Sequence, residues 1–147
     1  MVDIRPFKGF SYAPSSVSDL SSVIAPPYDV ITDQERSDLA SKSPLNFVHM
    51  TLPANYDSGR SDPDFYEDAA SRWDSLKRNN TVEQSNSPAI WCLKETYEKN
   101  DGQPVTRFGF ITELSLEDES DRFVLRHEKT YRAPQMDRMK LYEATRA

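Results

Sequence analysis

The polar and apolar positions of this chain change period several times, and each change predicts an element. "VDIRPF" (residues 2–7) alternates and predicts a short opening strand, stopped by Pro6. "SVSDL" (16–20) predicts a single helical turn. "SVIAPPYDVI" (22–31) is apolar but split by Pro26-Pro27, which remove two backbone donors and forbid a regular helix. That segment is expected to be extended and stiff. "TDQERSDLASKS" (32–43) opens with Thr32 and carries Glu35 three residues on, the spacing of a capping box at a helix start. "NFVHMTL" (46–52) alternates and predicts a strand, and "YDSGRSD" (56–62) reads as a loop. Pro63 suits the first position of the next helix. Along that helix Phe65, Ala69, Trp73 and Leu76 form one apolar stripe, ending near "KRNN" (77–80).

The second half changes to a period of two. "AIWCLKETYEK" (89–99) and "VTRFGFITELSL" (105–116) flank "NDGQP" (100–104), the strongest hairpin signal in the chain. "LEDESD" (116–121) reads as an acidic turn and "RFVLRH" (122–127) as a further strand. The final helix is expected to start near Ala133-Pro134, with Arg138, Leu141 and Thr145 on one side. The pattern as a whole predicts an α+β protein with a mixed β-sheet and flanking helices. It is read as a single domain over residues 1–147. The last helix has no Gly, Asn or Pro to close it, so the chain is expected to be the N-terminal part of a longer protein.

Composition narrows the class. Hydrophobic residues at 37% and aromatics at 11% support a packed core in 147 residues. No run approaches the roughly 18 apolar residues that span a bilayer, and the N-terminus lacks the pattern of a secretion signal, so no membrane association is expected. Cys92 is the only cysteine. It permits no internal disulfide, points to a cytoplasmic location, and is expected to be a buried thiol within its apolar strand.

Charge is distributed unevenly. Residues 1–121 carry a balance of −10 and residues 122–147 a balance of +4. An acidic bulk argues against nucleic-acid binding through phosphates. The basic tail reads either as a solvated helix or as a site for one small anion. With two histidines and one cysteine, a zinc site of His and Cys is not expected, and His49 lies in the predicted strand without a metal-spaced partner. Four glycines leave no Gly-rich phosphate loop.

The tail nevertheless concentrates useful chemistry. A strand ends in His127-Glu128-Lys129-Thr130, and a helix begins a few residues later. Strand end, polar loop and helix start form a favourable anion site in α/β proteins, because free N–H groups and the helix dipole point there. Lys129 and Arg138 can neutralise a phosphate or carboxylate, and Thr130 can donate a hydroxyl hydrogen bond. Glu128 can act as a general base or a magnesium ligand. His127 is the side chain of this segment whose ordinary titration range lies near neutral pH, although a lone histidine is more often structural than catalytic. Arg138 can instead pair with Glu128, and Asp137 can simply complement the dipole of the last helix. "APPYDV" reads either as a structural corner or as a stiff loop presenting Tyr28 and Asp29.

These strings carry a resemblance. "IRPFKGFSY" (4–12), "APPYDVI" (25–31), "SPLNFV" (43–48), "GFITEL" (109–114) and "HEKT…DRMKLYEATRA" (127–147) resemble, in the same order, a bacterial family known as domain-of-unknown-function family 1015. His49 stands where the family pattern leads one to expect a base such as Arg. Members of that family are described as similar to free-serine kinases and distantly to the ParB/sulfiredoxin-like fold. The resemblance implies nucleotide-dependent phosphoryl transfer from ATP or ADP, with Mg2+, to a small hydroxylated metabolite such as serine. It implies that Lys129, Thr130 and Arg138 bind phosphate, that Glu128 serves as base or metal ligand, and that His127 and Asp29 assist. The alternative is a non-catalytic module binding a small anionic or phosphorylated ligand or a protein partner, inactive as this fragment. The oligomeric state is not legible from the residues.

Overall fold

The computed structural model describes residues 3–52, 63–115 and 132–146. The predicted loop at 56–62, the acidic turn at 116–121, the strand at 122–127 and the segment His127–Thr130 lie outside the described residues. The fold is α+β, as the pattern predicts. In place of one mixed sheet, the described strands form three two-stranded sheets. No helix among the described residues is long and apolar enough to cross a membrane. The chain divides into two compact units, Met1–Ser11 with Gln84–Glu128, and Tyr12–Glu83 with Lys129–Ala147.

The first unit is built from antiparallel pairs. Strand β1 (Ile4–Arg5) lies against β6 (Glu113–Leu114), with Ile4 opposite Leu114. The hairpin predicted around Asp101-Gly102 is present as β4 (Trp91–Glu98) and β5 (Pro104–Ile111), paired from Trp91↔Ile111 to Glu98↔Pro104. Gly102 takes φ +77 at the turn, a left-handed conformation natural to glycine. Glu95 and Arg107 face each other across the ribbon as an ion pair. Gly9 lets the backbone approach the Trp91 indole, since a Cβ there would stand 3.0 Å from a ring carbon. The expected burial of Cys92 is corrected: its side chain is exposed. It pairs opposite Phe110 on a two-stranded ribbon, and that side of the ribbon has no second layer over it among the described residues.

Strands β2 (Phe10–Tyr12) and β3 (Val82–Gln84) pair with each other, and the chain passes between the units within them. The second unit is mainly helical. Helix α1 (Asp33–Lys42) starts with the predicted capping box. The Glu35 N–H donates to Thr32 Oγ1 at 3.3 Å, and the Thr32 N–H donates back to Glu35 Oε2 at 2.9 Å. Helix α3 (Pro63–Arg78) begins at the predicted proline and buries Tyr66, Ala69 and Leu76. It ends in a Schellman motif: Asn80 adopts φ 51, Thr81 N–H donates to Leu76 O, and Asn80 N–H donates to Lys77 O. Helix α4 (Arg132–Thr145) packs on α3 through Leu141 and Ala144 against Phe65, Tyr66 and Ala69. A second cluster joins Met50, Leu76 and Val82 with Tyr12, Leu45 and Trp73.

Two expectations are corrected here. The helical turn predicted at 16–20 is a 3-10 turn at Leu20–Ser22, displaced because the Asp19 side chain caps it by accepting from Ser21 N–H at 3.0 Å. The strand predicted at 46–52 is a short helix, α2 (Val48–Thr51), and His49 lies on it. Seven residues are too few to separate a period of 2 from one of 3.6 by pattern alone. The Asn46 side chain decides between them. It is 1% exposed, accepts from Val48 N–H at 3.0 Å, and donates to Ser22 O at 2.8 Å and Ile24 O at 3.1 Å. Phe47 N–H adds a 2.7 Å bond to Val23 O. This amide therefore starts α2 and ties it to the segment leading into the two prolines. The Tyr12 hydroxyl reinforces the join by donating to Leu45 O at 2.8 Å, and burial pushes its pKa up.

Two outcomes follow from this packing. Asn46→Ala strands two carbonyls and one N–H in the interior, and is expected to cost about 2–4 kcal/mol. The midpoint of urea unfolding, at unchanged slope, measures it; a loss below about 0.5 kcal/mol would show that the amide does not hold these segments. Thr32→Ala removes the cap of α1 and is expected to cost about 1 kcal/mol. Thr32 also holds the Glu35 carboxyl below its ordinary value of 4.5 by donating hydrogen bonds to it. A lowered folded-state pKa contributes stability above the ordinary value and loses it as pH falls through the lowered one. Melting followed from about pH 5 to about pH 2 is therefore expected to decline less steeply in Thr32→Ala than in the parent chain.

Candidate functional site

The helical unit contains a cavity of about 490 Å3. Its walls come from four separate stretches of sequence. Ala25, Pro26, Pro27 and Tyr28 form one side; Phe47, with Met50 and Thr51 of α2, and Trp73 of α3 form another; Arg138, Leu141, Tyr142 and Thr145 of α4 close it. The volume falls within the range of roughly 300–1,000 Å3 usual for small-molecule sites, and the lining is mostly apolar and aromatic, as such sites are.

Each wall has a local cause. The prolines hold residues 25–27 extended, with Pro27 at φ −53 and ψ 138, and the chain then turns through a 3-10 turn at Tyr28–Val30. The Asn46 amide anchors the start of that segment to α2. On α4, residues 138, 141, 142 and 145 recur at helical spacing and face one way.

Arg138 is the charged member of this lining. Its guanidinium carbon lies 4.0 Å from the centre of the Tyr28 ring, a cation–π contact in a largely desolvated place. Its side chain is 13% exposed and that of Asp137 is 15% exposed. Arg138 Nε donates to Asp137 Oδ2 at 2.8 Å, and Nη2 contacts the same oxygen. Nη1 donates to Thr51 O at 3.3 Å. The other oxygen of Asp137 accepts from the Tyr66 hydroxyl at 2.8 Å. Asp137 thus neutralises Arg138 locally, fixes its plane, and links it to α3. Two N–H groups of the guanidinium, one on each terminal nitrogen, have no partner among the described residues.

Of the sequence-derived candidates, Arg138 and Asp29 are described. Arg138 lines the cavity and stacks on Tyr28, whose neighbour Asp29 is exposed and is not part of the lining. His127, Glu128, Lys129 and Thr130 lie outside the described residues. Among the described residues no three His, Cys, Asp or Glu side chains group to hold a metal ion, and Asp137 is engaged by Arg138 and Tyr66. His49 contacts Ser43 O at 3.2 Å through Nε2 and lines a smaller hollow of about 120 Å3 beside Arg72, apart from the lining around Arg138. Asp137, Tyr66, Trp73 and Tyr142 are the site residues that sequence reasoning passed over. The placement of Tyr142 was readable from its four-residue spacing after Arg138; the partnership of Asp137 with Tyr66, 71 positions away, was not.

No curated protein and no solved structure matches the chain. The family model described as "Protein of unknown function (DUF1015)" matches residues 4–147, spanning Tyr28, Asn46 and Arg138 alike, and the chain belongs to that family.

Proposed function

We propose that the chain binds a nucleotide and serves phosphoryl transfer from it to a small hydroxylated metabolite, of which serine is the first to test. One observation carries the reading: a cavity of small-molecule size in which Tyr28 of "APPYDVI" and Arg138 of "DRMKLYEATRA" meet. Two of the strings behind the family resemblance, more than a hundred residues apart, thus supply one wall each. On this proposal Lys129 and Thr130 hold phosphate oxygens, Glu128 takes the proton of the attacking hydroxyl, and His127 and Asp29 assist. Catalysis of this kind is largely positioning and charge neutralisation, with little covalent work for the protein. A reducing, cytoplasmic setting accords with a single exposed thiol.

A second reading has an observation of its own. Arg138 is neutralised by Asp137, and the rest of the lining is mostly apolar, which suits a module that binds a small molecule without transforming it.

Calorimetry with Mg-ATP and Mg-ADP, followed by turnover assays with serine, separates the two. Phosphoryl transfer predicts that Glu128→Gln lowers turnover by about a hundredfold or more while nucleotide affinity stays within about twofold. Ligand binding with no turnover in the parent chain, or turnover indifferent to Glu128→Gln, favours the non-catalytic module. Absence of heat with every nucleotide removes phosphoryl transfer.

A further inference from the structure

We infer that the cavity seats an uncharged planar heteroaromatic ring bearing N–H groups, the chemistry of a purine base, and that anionic groups of the same ligand lie outside it. The inference rests on the cavity being the ligand site, as proposed above, and names what part of a ligand it selects.

The argument begins with charge. An isolated buried arginine would call for an anion, but Arg138 already faces Asp137 at hydrogen-bonding distance, so the net charge of the pair is zero. A polyphosphate brought beside Arg138 would also meet the Asp137 carboxylate, at low dielectric, where repulsion is strongest. The cavity therefore favours a neutral group.

Shape and surface come next. Trp73, Tyr142, Phe47 and Tyr28 bring four aromatic rings to one cavity, together with the flat faces of two prolines. A planar ring gains offset stacking there, beyond what burial of its area contributes.

The hydrogen-bonding groups then choose among planar rings. Thr145 Oγ1 donates its proton to Leu141 O at 2.8 Å, and Thr51 Oγ1 donates its proton to Phe47 O at 3.3 Å. Each hydroxyl has one proton, so both can offer a ligand only lone pairs. Arg138 supplies the opposite, two N–H groups on its terminal nitrogens. The lining thus combines acceptors from two threonines with donors from one arginine. A plain hydrocarbon ring would leave these polar groups unpaired, at a cost. A ring with an exocyclic amino group and ring nitrogens satisfies both kinds.

The test is calorimetry on the full chain with three probes: adenosine, inorganic tripolyphosphate and ATP. Adenosine is expected to bind, and two variants are expected to weaken it. Thr145→Val keeps the shape and removes the acceptor, and is expected to weaken adenosine about threefold to tenfold, the equivalent of one neutral hydrogen bond. Tyr142→Ala removes an aromatic face at a residue that is 59% exposed, so its fold is retained, and is expected to weaken adenosine about fivefold or more. Any tripolyphosphate binding is expected to change less than about twofold in both, because the inference places anions elsewhere. No heat with adenosine, no response of adenosine to either variant, or an equal loss for tripolyphosphate overturns the inference. Heat with adenosine but none with ATP, and no turnover, would remove phosphoryl transfer and leave the ring site standing. Heat with ATP and tripolyphosphate but none with adenosine does the reverse.

Discussion

The helical unit depends on one buried amide. Asn46 has nearly no solvent contact, and its side chain makes three hydrogen bonds to backbone groups, two on the distant segment at Ser22 and Ile24 and one at the start of α2. An amide can do this because it carries donors and an acceptor on one rigid plane; an aliphatic residue of the same size would leave three backbone groups unpaired in the interior. Through these bonds the chain ahead of Pro26-Pro27 is held beside α2. The prolines then carry that position forward without loss, because a segment with two fixed φ angles has few alternatives. Tyr28 arrives where it does as a consequence.

The second constraint sits on α4. Arg138 is held by a neighbour in sequence, Asp137, by a carbonyl on α2, and by the face of Tyr28. Asp137 is in turn held from α3 by Tyr66. Arg138 and Tyr66 both donate to Asp137, so a charge pair that would be costly to bury alone is retained at low exposure. The arrangement costs the site its net charge. On the inference that the cavity seats an uncharged ring, ligand selection and helix packing are parts of one network.

Signals of short range survived the passage from sequence to structure best. The capping box at Thr32 and Glu35, the proline opening α3, the Asp-Gly turn of the hairpin and the apolar stripe of α3 all appear where they were predicted. Each is settled by residues within one or two turns of one another, so the information needed is local. The same locality explains the failures. "NFVHMTL" alternates as a strand should, yet the bonds that make it helical at Val48–Thr51 begin at Asn46 and reach back to Ser22 and Ile24. Cys92 lies in an apolar run, but burial depends on whether another layer covers the ribbon, which the run itself does not encode.

The candidate site divides along the same line. The residue pattern alone determined the α+β class, most of the helices, the hairpin and the side of α4 on which Arg138, Leu141 and Thr145 fall. The family resemblance adds that Tyr28 and Arg138 fall in two of its strings. That these two residues touch, that Asp137 cancels the charge, and that Trp73 and Tyr142 complete an aromatic cavity were decided only by tertiary structure. The physical reason is distance along the chain: 110 positions separate Tyr28 from Arg138, and no periodicity spans them. Helix and turn preferences act over a few residues, whereas the local net charge around a buried arginine is set by whichever carboxylate the packing brings to it.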